Sequence, residues 1–202
     1  MRITDKAELA ALYGEPNGRA SLKVLSMLDQ HCRDFIAHCP FVVLGTRGGD
    51  GLPDVSPRGD KPGFVKVLDD TTLVLPDRPG NRRTDTLKNV LDDPGIAMLF
   101  MIPGFNDTLR INGTAVVETD DTLRNQFVER ERAPKTVLKI TVKQAFLHCA
   151  KAFMRSRLWD PEAQIPRSTL APFNVMLLDH TGGNIALESD EDQLKRYERE
   201  LY

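Results

Sequence analysis

The sequence predicts a mainly β protein: an antiparallel barrel with helices at both termini. Three observations lead there. Short β runs, separated by glycine, aspartate and proline, crowd the middle of the chain. Helical periodicity is strongest at the two ends. The strands follow one another as meanders, without the βαβ alternation that a parallel sheet needs.

Residues 5–13 read as a short helix, ended by the stretch GEPNG. From Arg19 onward, Leu22, Leu25, Leu28, Cys32, Phe35, Ile36 and Cys39 recur at helical spacing, which predicts one amphipathic helix stopped by Pro40. FVVLGT (41–46) is a β run, and RGGDG is the turn after it. LPDVSPRGD follows, then the β run FVKVL (64–68), an Asp-Asp turn and the β run TTLVL (71–75). TDTLKNVLDDPG interrupts the strands. Thr84 can cap a short helix there, with Leu87, Val90 and Leu91 on one face and Pro94-Gly95 at its end. Strands resume over 96–102 and 108–117. Residues 121–132 read as a helix capped by Asp120 or Asp121, and 136–143 as a strand. In the last quarter HCAKAFMRSRLWDP can form a helix stopped at Pro161, and DEDQLKRYERELY forms a charged one. The expected organisation is one domain over 1–202: a helical extension (1–39), a barrel core (40–147) and a carboxy-terminal helical segment (148–202).

A length of 202 residues with 41% hydrophobic content suits a globular chain with a real core. The formal net charge of -2 argues against general nucleic-acid or membrane-surface binding, which want a basic excess. The longest apolar run, IAMLFMI, is strand-sized, and Asp5, Lys6 and Glu8 stand where a signal peptide needs an apolar core. Three cysteines make no disulfide framework, so a cytoplasmic, reduced protein is expected. The glycine-rich GTRGGDG follows a strand, but LPDVSP cannot open the helix that a dinucleotide loop requires, so it reads as a hairpin turn. His31, Cys32, His38 and Cys39 are zinc-ligand types that could share a helix face, yet the two cysteines continue the apolar stripe and read as packing. His148 and Cys149, as sequence neighbours, point apart and make a poor catalytic pair.

One stretch concentrates positive charge. LVLPDRPGNRR places Arg78, Arg82 and Arg83 between a strand end and a helix start. Free amides at a helix N-terminus attract anions, and arginine adds a forked donor matched to phosphate oxygens. Pro79 and Gly80 shape the turn, and Asn81 adds an amide donor. Charge alone leaves two readings open, a solvated basic turn and an anion site. Crowding like charges costs stability with nothing to offset it, which favours the anion. A phosphate polymer fits less well, because no aromatic residue interleaves with these arginines as a stacking surface would require.

Three blocks in order, DGLPDVSPRGD, LVLPDRPGNRRTDTLKNVLDDPGIAMLF and TLRINGTAVV, resemble the pyridoxamine 5'-phosphate oxidase-like proteins. The resemblance spans roughly residues 35–159 and is nearest to a subgroup, distinct from the true oxidase, that also carries HCAKAFMRSRLW. It implies an FMN-binding split β-barrel and a homodimer with the cofactor at the subunit interface. By resemblance, Asn81, Arg82 and Arg83 would hold the FMN phosphate, with Arg78 nearby. Val55, Ser56, Pro57 and Arg58 would face the isoalloxazine or ribityl chain. Leu75, Pro76 and Asp77 would line the ring edge, and Arg110 would support the pocket. Lys151, Arg155, Ser156 and Trp159 would come from the partner subunit. The true oxidase has an Arg-x-His pair near its carboxy end that grips its substrate, whereas RSRLWDP has no such histidine. The resemblance therefore implies an FMN-dependent oxidoreductase acting on another small molecule. The alternatives are a non-catalytic flavin sensor or carrier, or the same barrel holding haem or a deazaflavin.

Overall fold

The computed structural model describes residues 2–15 and 18–202. Helix α1 (Lys6–Tyr13) begins where the Asp5 carboxylate accepts the Ala7 and Glu8 amides, and it ends at Gly14, whose φ of 70° suits glycine. Pro16 and Asn17, part of the expected GEPNG stop, lie outside the described residues. The single amphipathic helix expected from Arg19 is two helices, α2 (Gly18–Leu22) and α3 (Gln30–His38). The break has a cause: Leu25 exchanges two backbone hydrogen bonds with Ala145, and the Leu28 amide donates to Asp70. Asp29 then caps α3 through the Cys32 amide at 2.8 Å. Cys32, Ile36 and Cys39 still reach the core.

The strands are β1 (Phe41–Arg47), β2 (Pro53–Gly59), β3 (Lys66–Val67), β4 (Thr72–Pro76), β5 (Gly95–Met101), β6 (Thr108–Glu118) and β7 (Val137–His148). They form one seven-stranded antiparallel sheet in the order β2-β1-β5-β6-β7-β4-β3. The edges β2 and β3 do not pair with each other, so the barrel is split. Pro53 and Pro57 fall on the edge strand β2, where a missing amide donor is tolerated. The expected 64–68 strand shortens to two residues, because Phe64 and Val65 turn into the core just before it.

One cluster fills the barrel: Val42 and Leu44, Met98 and Phe100, Leu109 and Ile111, Leu138 and Ile140, with Leu73 and Leu75. Their period of two follows strand geometry. On β7 the inward positions run 138, 140, 142 and then 145, because Lys143 is an extra residue opposite the step from Asn112 to Gly113. At Gly113 a β-carbon would overlap the Thr141 carbonyl, so only glycine fits beside this bulge.

Between β4 and β5 lies α4 (Asp85–Asp92), packed on β1 and β6. Val90 is buried, but Leu91, expected on the same face, is 75% exposed. The expected 121–132 helix is only α5 (Asp121–Arg124) and one tighter turn, Asn125–Phe127, that buries Phe127 against Val74 and Val137. Asp120 is the cap. The carboxy-terminal segment holds α6 (Lys151–Ser156), α7 (Phe173–His180) and α8 (Asp190–Glu200). His148 ends β7 rather than opening a helix, and α7 was not expected. Among the described residues no helix is long and apolar enough to cross a membrane, and no cluster of three metal-ligating side chains occurs.

Candidate functional site

The arginine loop joins β4 to α4, and its backbone is strained. Arg82 and Thr84 sit in the left-handed region at φ 62° and 57°, which non-glycine residues occupy at a cost. Thr84 stands at the cap position of α4 but does not cap it; its hydroxyl donates backward to the Arg83 carbonyl at 2.7 Å. The first amide in the helical ladder is that of Lys88, which donates to Thr84. The amides of the preceding turn are therefore left without a helical partner, at the positive end of the helix dipole. Asn81 turns the loop by accepting the Arg83 amide at 3.0 Å. Arg83 pairs with Asp85 at 2.7 Å in an exposed ion pair, while Arg82 forms no ion pair among the described residues.

Strand β2 lies alongside. Its alternation places Ser56 and Arg58 on the face toward α4, and Val55 and Pro57 on the opposite, exposed face. Arg58 donates to the Ser56 hydroxyl, to the Pro57 carbonyl at 2.8 Å and to the buried Thr86 hydroxyl at 3.1 Å. It thereby ties β2 to the first turn of α4. Asp77 is half-buried; burial pushes its carboxyl up, and Arg58 opposes that only in part. Its amide donates to the Thr136 carbonyl, and the Thr136 hydroxyl is buried without a partner among the described residues. Leu75 and Pro76 are buried, with Leu75 inside the barrel core rather than along an open edge.

Arg78 points away from its neighbours. Its Nε donates to Asp60 at 2.7 Å and its Nη1 to the Phe127 carbonyl at 2.7 Å, and its guanidinium lies over the Tyr202 ring. Its charge is paired with Asp60 and two of its donors are held by the protein, which fixes it apart from Arg82 and Arg83. Asp60, Thr86 and Tyr202 were not anticipated as site residues, and no local pattern distinguishes them.

The remaining expected residues lie elsewhere in this chain. Arg110 sits on the outer face of β6 over the Phe146 ring. Lys151, Arg155 and Ser156 are exposed on α6. Trp159 stacks on Phe153 and donates to the Phe105 carbonyl at 2.7 Å. With Gly104, Asn106, Met154, Arg157 and Asp160, this pair lines a surface hollow of about 180 Å³. Strand β7 joins the two regions: Val137 pairs with Pro76 near the loop, and His148 pairs with Thr108 at the other end. The strand between them spans roughly 35 Å at the usual rise per residue. One subunit does not bring these groups together.

The family model described as pyridoxamine 5'-phosphate oxidase matches residues 28–149, more than half of the chain. The chain belongs to the pyridoxamine 5'-phosphate oxidase family. The match begins at Leu28, ahead of α3, and ends at Cys149, just past β7, so it encloses the whole sheet and the arginine loop. A solved structure of HupZ agrees at the level of fold. HupZ of Group A Streptococcus aligns with a TM-score of 0.50 at 22% identity, over 60% of this chain and 94% of its own. General Stress Protein 26 from Bacillus anthracis aligns with a TM-score of 0.44 at 19% identity, over 58% and 94%. A search of curated proteins finds no match. Outside the family's shared core lie the amino-terminal helices α1 and α2 and everything after β7.

Proposed function

We propose that this family member is a cytoplasmic, homodimeric FMN-binding flavoprotein, an oxidoreductase acting on a small molecule. The observation that carries the reading is the β4–α4 connection: a helix start with no side-chain cap, a strained turn and an arginine with no ion-pair partner among the described residues. That donor set matches a phosphate monoester, which carries about -1.5 to -2 charges near neutral pH.

In this reading Arg82, Arg83 and the first amides of α4 bind the phosphate. Asn81 shapes the turn for them. Arg58, held by Ser56 and Thr86, supplies fixed positive charge beside the pocket. Asp77 lies at the pocket edge with its carboxyl pushed toward the neutral form. Bound FMN would supply the hydride or electron chemistry. A second copy of the chain supports the reading in two ways. It can bring Lys151, Arg155, Ser156 and Trp159, with Arg110, toward a loop that they do not reach within one subunit. It can also cover Leu52, Val55 and Leu91, which are exposed just before β2, on β2 and at the end of α4.

Replacing Arg82 and Arg83 with alanine tests the assignment. FMN affinity is expected to fall at least tenfold, and a change within threefold overturns it. Photoreduced flavin on the protein, offered candidate electron acceptors, then separates an enzyme from a carrier. Acceptor-dependent reoxidation is expected; tight binding without it points to the carrier.

A further inference from the structure

Three segments that are distant in sequence converge on Arg78. The first is the exit of β2, where the Asp60 side chain is only 2% exposed and takes the Arg78 Nε. The second is the chain after α5, where the Phe127 carbonyl takes the Arg78 Nη1. The third is the end of α8, where the Tyr202 hydroxyl donates to the other Asp60 oxygen at 2.8 Å and its ring lies 5.2 Å from the Arg78 guanidinium. Burial pushes the Asp60 carboxyl up, but the Lys61 amide, Arg78 and Tyr202 outweigh it, so the group stays ionised.

The knot is fastened from outside as well. Glu129 and Arg132 exchange both backbone hydrogen bonds around a two-residue turn, with Arg130 and Glu131 left-handed at φ 46° and 63°. Such a turn normally requires glycine or asparagine. Here Arg130 also lies over the Tyr202 ring, 5.4 Å from its centroid, and donates to the Glu198 carbonyl at 3.3 Å. Lys61 pairs with Glu129 at 2.7 Å. Arg78 in turn stands immediately before Pro79, at the root of the loop whose far end is held by Arg58 on Thr86.

We infer that Asp60 and Tyr202 are positioning residues: they hold Arg78 as a strut, so that the end of the carboxy-terminal helix sets the order of the anion-binding loop. The inference rests on the reading of residues 79–86 as that loop. It assigns Arg78 a role its charge does not announce. The arginine is neutralised by Asp60 and fixes the loop's root, leaving the ligand to Arg82 and Arg83. It also couples a helix outside the family's shared core to the site within it.

Hydrogen exchange on the ligand-free, full-length protein tests the coupling without any cofactor. In Tyr202→Phe, which removes one hydroxyl, amide exchange across 80–86 is expected to rise at least fivefold while exchange in β5 stays unchanged. Asp60→Asn should do the same more strongly. Exchange within twofold of wild type in Tyr202→Phe overturns the inference, whether or not Asp60→Asn folds. The positioning role has its own readout, the preference for FMN over riboflavin, which lacks the phosphate. Tyr202→Phe is expected to lower that preference at least threefold with riboflavin binding unchanged. An Asp60→Asn protein that binds FMN more tightly than wild type would make Arg78 a restrained ligand and overturn the strut. Wild type that takes up no FMN, while Tyr202→Phe still loosens the loop, sinks the phosphate reading and leaves the coupling standing.

Discussion

Arg82 allows the backbone and the ligand to be tested at one position. Its φ of 62° places it in the left-handed region. For an L-residue that conformation costs about 1–2 kcal/mol, which glycine does not incur. Glycine loses about 0.5–1 kcal/mol more chain entropy on folding than alanine. Arg82→Gly should therefore be more stable than Arg82→Ala by about 0.75 kcal/mol, the mid-range strain relieved (about 1.5) less the mid-range entropy (about 0.75). For a domain of this size that is roughly 1–4 °C in melting temperature. Both variants lack the guanidinium, and the charge-assisted hydrogen bonds proposed between it and the phosphate would be worth about 1.5–3 kcal/mol. Both should then bind FMN about 10- to 150-fold more weakly than wild type. Thermal unfolding of the apo-proteins and flavin fluorescence titration measure the two effects separately. Equal melting temperatures for the glycine and alanine variants would refute the backbone argument. FMN affinity within threefold of wild type would refute the ligand argument.

Gly113→Ala should destabilise the barrel by at least about 1–3 kcal/mol, seen as an earlier urea midpoint, because the added carbon meets backbone at the β7 bulge rather than a movable side chain. The Asp60 carboxyl lies below the ordinary carboxylate range in the folded protein, so its contribution is full above the unfolded value of about 3.9 and is lost as pH falls through the lower folded value. Urea midpoints measured from pH 6 to 3 should show a loss on acidification that Asp60→Asn reduces. Burial pushes the Cys32 thiol up to about 11 and raises that of Cys39, while Cys149 is exposed. A thiol-reactive dye at pH 8 should label Cys149 alone in the native protein and all three cysteines after denaturation.

The fold was legible where local pattern and burial coincide. Strands β1 and β5 alternate cleanly, and both have one face in the core. The break between α2 and α3 was not legible, because Leu25 and Leu28 satisfy a helical period while their amide groups are claimed by Ala145 and Asp70, far along the chain. Helix α5 stops early for a similar reason: Phe127 is drawn under β4 by Val74 and Val137. Helix α7 escaped because FNVMLLDH is apolar around most of its circumference and shows no single face. At the candidate site, the strand, basic loop and helix were readable in order. The fate of each arginine was not. Arg78, Arg82 and Arg83 look alike in sequence, yet the first is held by a carboxylate eighteen residues upstream and by the ring of Tyr202. The resemblance groups Val55 and Pro57 with Ser56 and Arg58, and strand geometry sends the two pairs to opposite faces of β2.

If the β4–α4 loop binds the phosphate of FMN, the protein must retain FMN better than riboflavin. The most direct measurement is the absorption spectrum of the wild-type protein as purified and after addition of FMN, with mass spectrometry of whatever ligand is released. Flavin bands that stay with the protein on desalting, a released mass equal to FMN, and clearly weaker retention of riboflavin are expected. A colourless protein that retains no flavin after FMN is added, or one that releases haem or a deazaflavin, would contradict FMN binding at this loop.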